Sequence, residues 1–166
     1  YAQSITREII KEKNQIHQEQ NKSPYSILAI GASTGGPIAI QTLLRDLGPS
    51  FPLPIIITQH IDEMFDRQFA HWLSNTTGQT VTTAVDGATL MPGHVYIAPS
   101  GKHLKLQYKN HCEYVAELDD SEEVHFLKPA VDKMFSSCAR TAGSKTIAVI
   151  LTGMGQDGAA GMKEIL

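Results

Sequence analysis

The stretch Tyr25-Ser26-Ile27-Leu28-Ala29-Ile30, then Gly31-Ala32-Ser33-Thr34-Gly35, then Pro37 to Leu47, decides how this chain folds. The first six residues form an apolar run of strand length and read as a buried strand. Pro37 to Leu47 reads as a helix, with Pro37 suited to its first position and Ile38, Leu43, Leu44 and Leu47 on one side. A serine at such a strand-to-helix turn, with glycine two positions to either side, is pushed out with its hydroxyl exposed. The helix start adds unpaired N–H groups that favour developing negative charge. The same pentapeptide also reads as a Ser/Thr helix cap or as a glycine-rich phosphate cradle, and the pattern alone does not choose.

Strand and helix signals alternate outward from this turn. Leu53 to Gln59 (LPIIITQ) and Thr146 to Thr152 (TIAVILT) are further continuous apolar runs of strand length. Thr80 to Val85, closed by Asp86-Gly87, and His94 to Ala98, opened by Pro92-Gly93, read as shorter strands. Phe65 to Ser74 has helical spacing, with Phe65, Phe69, Trp72 and Leu73 on one face, and Pro129 to Ala142 is a helix stopped by Gly143. Leu104 to Tyr108 and Tyr114 to Leu118 read as a hairpin around Lys109-Asn110-His111. Continuous apolar strands separated by helices predict an α/β fold: a doubly wound, mainly parallel sheet with helices on both faces, plus a β-hairpin insertion.

Residues 1–24 are polar, with a thin stripe of Ile5, Ile9, Ile10 and Ile16, and read as a linker or solvated helix ended by Pro24. The domain proper is expected over 25–166. The chain opens at Tyr1 and stops at Leu166 inside a helical pattern, so it reads as an excised piece whose domain is incomplete at its C-terminus.

Composition removes several classes of function. A net charge of −3 with no lysine or arginine block argues against a nucleic-acid partner. No apolar stretch approaches the ~18 residues of a membrane span, and no signal peptide is visible, which points to a cytoplasmic location. Cys112 and Cys138 have no metal or redox spacing and read as free thiols. Neither a metal nor an organic cofactor is expected.

Three chemistry-bearing residues fall at the ends of the three strongest strands. Ser33 follows the first, His60 the second, and Asp157 lies in the glycine-rich loop after the third. A parallel sheet brings these loops to one edge, the edge where ligands of such sheets sit. An imidazole can take the serine proton and return it to the leaving group, and a carboxylate behind the imidazole fixes its tautomer. The order Ser…His…Asp differs from that of the α/β-hydrolases. Each residue has a plainer reading. The chain has seven histidines, of which His94, His103 and His125 also flank strands or helices, and Asp157 could cap the following helix. The backbone N–H groups of Thr34 and Met154 are candidate oxyanion donors.

The segments Ile30-Gly-Ala-Ser33-Thr-Gly-Gly-Pro37, Gln59-His60, Asp86-Gly87, Pro92-Gly-His-Val-Tyr-Ile-Ala-Pro99, Lys128-Pro-Ala-Val-Asp132 and Leu151-Thr-Gly-Met154-Gly-Gln-Asp157-Gly158 resemble the catalytic domain of the CheB family. The resemblance covers about residues 25 to 166. It implies a protein-glutamate methylesterase with Ser33 as nucleophile, His60 as base, Asp157 as its orienter, and Thr34 and Met154 near the oxyanion. It implies methyl-accepting chemotaxis receptors as protein substrates, deamidation of receptor glutamines as a second activity, and a response-regulator receiver domain upstream or in trans. Many members carry His-Arg-Pro where this chain has Leu127-Lys128-Pro129, and a lysine lacks the forked hydrogen bonding of arginine. Two other readings remain: a nucleotide-binding Rossmann-like module, and a non-catalytic interaction domain that kept the fold. The first wants an acidic residue at the end of the second strand, where this chain has Thr58-Gln59-His60.

Overall fold

The computed structural model describes residues 23–62, 64–110, 113–153 and 155–166. Residues 1–22 of the expected 1–24 linker, together with Glu63, His111, Cys112 and Met154, therefore lie outside the described residues.

The elements in chain order are β1 (Ile27–Ala32), α1 (Gly36–Leu47), β2 (Ile55–Gln59), α2 (Asp66–Thr77), β3 (Thr80–Thr83), β4 (His94–Ile97), β5 (His103–Asn110), β6 (Glu113–Asp119), α3 (Val131–Thr141), β7 (Thr146–Ile150) and α4 (Ala159–Ile165). Strands β3-β4-β2-β1-β7, in that order, form a five-stranded sheet. Every neighbouring pair in it is parallel. Strands β5 and β6 form a separate antiparallel hairpin, as the sequence predicts.

The sheet is covered on both faces because its strands are apolar in both directions of the pleat. Ile27, Ala29, Ile56 and Tyr96 point to one side, where Leu104 and Leu106 of the hairpin and Met134, Phe135 and Cys138 of α3 close over them. Leu28, Ile30, Ile55, Ile57, Val95 and Ile97 point to the other, against Ile40 and Leu44 of α1 and Phe69 and Leu73 of α2. This alternation is the period-two rule acting on strands that have no wet face. Burying so many Ile and Leu side chains, each worth about 1.5–3 kcal/mol, is what holds the layers together.

The core departs from the predicted faces at two points. Ile38 is exposed; α1 turns Gly36 and Ile40 inward beside the expected Leu44, with Leu43 and Leu47 partly buried. The helix begins at Gly36, where an added Cβ would collide with the Gln59 side-chain amide, so it is seated by that glycine and not by Ile38. Phe65 is also exposed, since it is the residue before α2 and not part of its buried face. Cys138 is a free thiol, as expected, and burial pushes its pKa up to about 12.

Candidate functional site

The catalytic-looking loops meet because of strand register. Ala32 pairs with Gln59 at the end of the β1–β2 ladder, so Ser33 and His60 are the next residue along on adjoining strands. Neighbouring strands lie ~4.8 Å apart, which sets the spacing of the two backbones before any side chain is considered. The His60 N–H donates to Ala32 O at 3.0 Å, and the Ser33 N–H donates to Thr152 O at 3.1 Å, tying the turn to the strands on either side.

The turn itself is not closed by a hydroxyl cap. Gly35 takes the cap position of α1 in the left-handed region, at φ 77°, and no side chain caps the helix. A Cβ at Gly35 would be strained by this conformation whatever the space around it. Ser33 and Thr34 are thus left out of the capping role, and the Thr34 N–H has no acceptor among the described residues. The Ser33 Oγ likewise has no partner among them.

Gln59 is a residue the sequence reading missed. It is buried, and its side-chain amide donates to Ser33 O and to His60 O, each at 2.9 Å. One amide thereby staples the serine loop to the histidine loop. Its oxygen has no partner among the described residues, which is the cost of placing both donors on the two carbonyls. Replacing Gln59 by Leu leaves those carbonyls without this donor, at about 1–3 kcal/mol. The expected result is a lower thermal midpoint, measured by calorimetry, together with a loose Ser33 turn.

Asp157 does not cap its own helix. The residue at the start of α4 is Gly158, without a side-chain cap. The Asp157 carboxylate reaches instead to the start of α3, where Oδ2 accepts from Val131 N at 2.7 Å and Oδ1 from Asp132 N at 2.8 Å. Oδ2 also lies 2.8 Å from His60 Nε2. Burial pushes the Asp157 carboxyl upward. The His60 hydrogen bond and the two helix N–H groups outweigh this and hold it below the ordinary carboxylate value. An ionised acceptor here assigns the ring proton to Nε2, so His60 Nδ1 carries the lone pair. That nitrogen has no partner among the described residues.

Asp132, the last residue of the segment Lys128-Pro-Ala-Val-Asp132, supports this arrangement. Its Oδ1 accepts from Gly161 N at 2.8 Å and its Oδ2 lies 3.6 Å from His125 Nε2. His103 turns out to be the satisfied core histidine of the set: it is fully buried, accepts from Ala130 N at 3.1 Å and donates to Glu122 O at 3.1 Å. Lys128 is turned away to Asp120, with Nζ 2.7 Å from its carboxylate and 3.2 Å from its carbonyl oxygen. It braces the segment before α3.

Ser33, His60, Asp157, Val131, Ile150 and Thr152 line one small cavity of about 20 Å³ at the carboxyl edge of the sheet. That volume holds about one water-sized group. A larger hollow of about 550 Å³ lies at the opposite edge beside Tyr25, Pro54, Met91 and Tyr108, and none of these three site residues borders it. The structure thus brings Ser33, His60 and Asp157 together, with Thr34 beside them and exposed. No hydrogen bond joins the Ser33 hydroxyl to His60. Among the described residues no group of His, Cys, Asp and Glu is placed to hold a metal, and no helix is long and apolar enough to cross a membrane.

The chain is similar to known proteins over most of its length. The protein-glutamate methylesterase FrzG of Myxococcus xanthus is 44% identical over 142 residues, covering 86% of this chain and 41% of its own length. A protein-glutamate methylesterase/protein-glutamine glutaminase of Pectobacterium atrosepticum is 45% identical over 143 residues, covering 86% of this chain and 40% of its own length. The chain therefore spans about two fifths of the length of these relatives. The crystal structure of the Thermotoga maritima CheB methylesterase catalytic domain superposes with a TM-score of 0.81 at 40% identity, over 85% of this chain and 74% of that one. Residues 28–166 match the family model described as CheB methylesterase, and the chain belongs to that family.

Proposed function

We propose that this chain hydrolyses glutamate methyl esters on chemoreceptor proteins, with Ser33 as nucleophile, His60 as general base and acid, and Asp157 as the group that orients and stabilises the imidazole. The observation that carries this reading is the arrangement of His60: its Nε2 is held at 2.8 Å by a buried carboxylate, while Nδ1, beside the cavity that Ser33 lines, has no partner among the described residues. The names of the relatives, protein-glutamate methylesterase and protein-glutamine glutaminase, supply the substrate class.

In the first step Ser33 Oγ attacks the ester carbonyl while Nδ1 takes its proton. The oxyanion is held by N–H groups, with Thr34 and Met154 as the assigned donors. The tetrahedral intermediate collapses, the His60 proton passes to the leaving oxygen, and methanol departs from a Ser33 acyl-enzyme. Water then attacks, His60 takes one of its protons, and glutamate is released as Ser33 regains its own. A glutamine side chain enters the same sequence with ammonia in place of methanol, so deamidation is assigned to the same residues. None of these steps calls for a cofactor. The reading places the chain in the cytoplasm with the receptors' signalling helices, under control of a receiver domain upstream or in trans.

The test is methanol release from a methylated chemoreceptor fragment incubated with the chain, joined to labelling by a fluorophosphonate and mapping of the adduct by mass spectrometry. Methanol release and an adduct on Ser33 are expected. Absence of both from folded protein would overturn the reading.

A further inference from the structure

The cavity at Ser33 admits little more than a water-sized group, so it can take the end of a modified side chain and none of the protein that carries it. Recognition of a macromolecular substrate must then come from the surface around the slot. Two loops and one helix start at this same edge each hold out a large apolar side chain. Phe126, between β6 and α3, is 94% exposed. Met64, after His60, is 81% exposed, and Ile38, on the first turn of the serine helix, is 63% exposed.

Two of these side chains are displayed from backbone that resists it. Val124 and Leu127 exchange backbone hydrogen bonds of 3.1 and 2.9 Å, forming a two-residue hairpin turn whose centre is His125-Phe126. Both central residues have positive φ, 54° and 63°. Such turns normally use Asn-Gly or Gly-Gly, because other side chains are strained there. Met64 also has positive φ, at 75°. Strain of this kind persists where the surroundings over-determine it, and it gathers at functional sites. The surroundings here are visible: His125 lies 3.6 Å from Asp132 Oδ2, Lys128 is paired with Asp120, and Asp132 N donates to the same carboxylate that holds His60. The Phe126 turn is thereby fixed to the frame of the cleft.

We propose that Phe126, with Met64 on the loop after His60, forms an apolar rim that seats the segment of the substrate protein carrying the modified glutamate. The occupant is that substrate segment, whose apolar residues flanking the reacting glutamate rest on these two while its side chain enters the slot. This rests on the methylesterase reading above and adds the means by which its substrate is bound. Phe126 acts in binding, so its loss is read in KM and not in the chemical step.

The experiment measures steady-state methanol release from a methylated receptor cytoplasmic fragment, and binding of that fragment to the chain carrying Ser33→Ala. Phe126→Ala should raise KM and Kd about tenfold while kcat stays within twofold, since burial of a phenyl ring covers such a ratio. Phe126→Leu should recover most of the affinity, and Met64→Ala should act in the same direction more weakly. Phe126→Gly should lower affinity yet not lower the thermal midpoint, because glycine relieves the positive φ. An unchanged KM and Kd in Phe126→Ala, or a fall in kcat with KM unchanged, would overturn the rim. Loss of self-association in Phe126→Ala without loss of fragment binding would also overturn it, assigning the surface to a second copy of the chain. Fragment binding that depends on Phe126 in a chain that releases no methanol would keep the rim and overturn the esterase reading instead.

Discussion

Replacing Ser33 by Ala is expected to remove methanol release almost completely while leaving the protein folded. Where a serine and its base act as a unit, loss of the serine alone costs about 10⁶-fold in kcat. The structural cost is expected to be small, within about 0.5 kcal/mol, because the hydroxyl has no hydrogen-bond partner among the described residues. What holds the turn is backbone: Ser33 N to Thr152 O, Gly36 N to Ser33 O, and the Gln59 amide to Ser33 O. The variant should therefore melt at the same temperature as the parent and still bind methylated receptor. Turnover at the parental rate by a Ser33→Ala protein of unchanged thermal midpoint would remove the nucleophile assignment.

Asp157→Asn carries the second largest expected effect, and it acts on both chemistry and stability. In the chemistry, an amide no longer fixes the imidazole tautomer or stabilises the imidazolium, a change that costs up to ~10⁴-fold in kcat where an aspartate has this role. In the fold, the carboxylate oxygens face three donors: His60 Nε2–H and the N–H groups of Val131 and Asp132. An asparagine puts an NH₂ against one of them, and a buried donor left unsatisfied costs about 1–3 kcal/mol. The acid limb of stability should change as well. The folded carboxyl lies below its ordinary value of about 3.9, so its stabilisation is complete above that pH and is lost as pH falls through the lower folded value. Asp157→Asn should be less stable than the parent at neutral pH, with the gap narrowing in acid. Calorimetry across pH 2–7 checks the sign, and a gap that widens in acid would show that the carboxylate is not held ionised by these donors.

How far the sequence could be read depended on whether a feature was local. The strands were legible because parallel strands buried on both faces are unbroken apolar runs, and Ile55–Gln59 and Thr146–Ile150 each lie within such a run. Their shared edge followed from parallel topology, so the meeting of Ser33, His60 and Asp157 could be anticipated. Ile38 was placed on the wrong face because the orientation of α1 is set by the contact of Gly36 with Gln59, which no helical period records. Asp157 was weighed as a cap of its own helix and caps a different one, 25 residues earlier in the chain, which only tertiary packing decides. Gln59 was quoted as part of a motif, but its role as a staple needs the register of two strands. His103, which also flanks a strand, is a buried ring satisfied on both nitrogens.

The attachment of Asp157 to the first turn of α3 has a mechanical consequence. The serine and the imidazole are spaced by adjoining strands and cannot easily part, whereas their acid partner is anchored to a helix in the outer layer. Displacements of an ångström at a catalytic group cost rate steeply. Under the proposed reaction, a pull on the beginning of that helix would slow turnover from outside, without entering the slot or competing with the substrate.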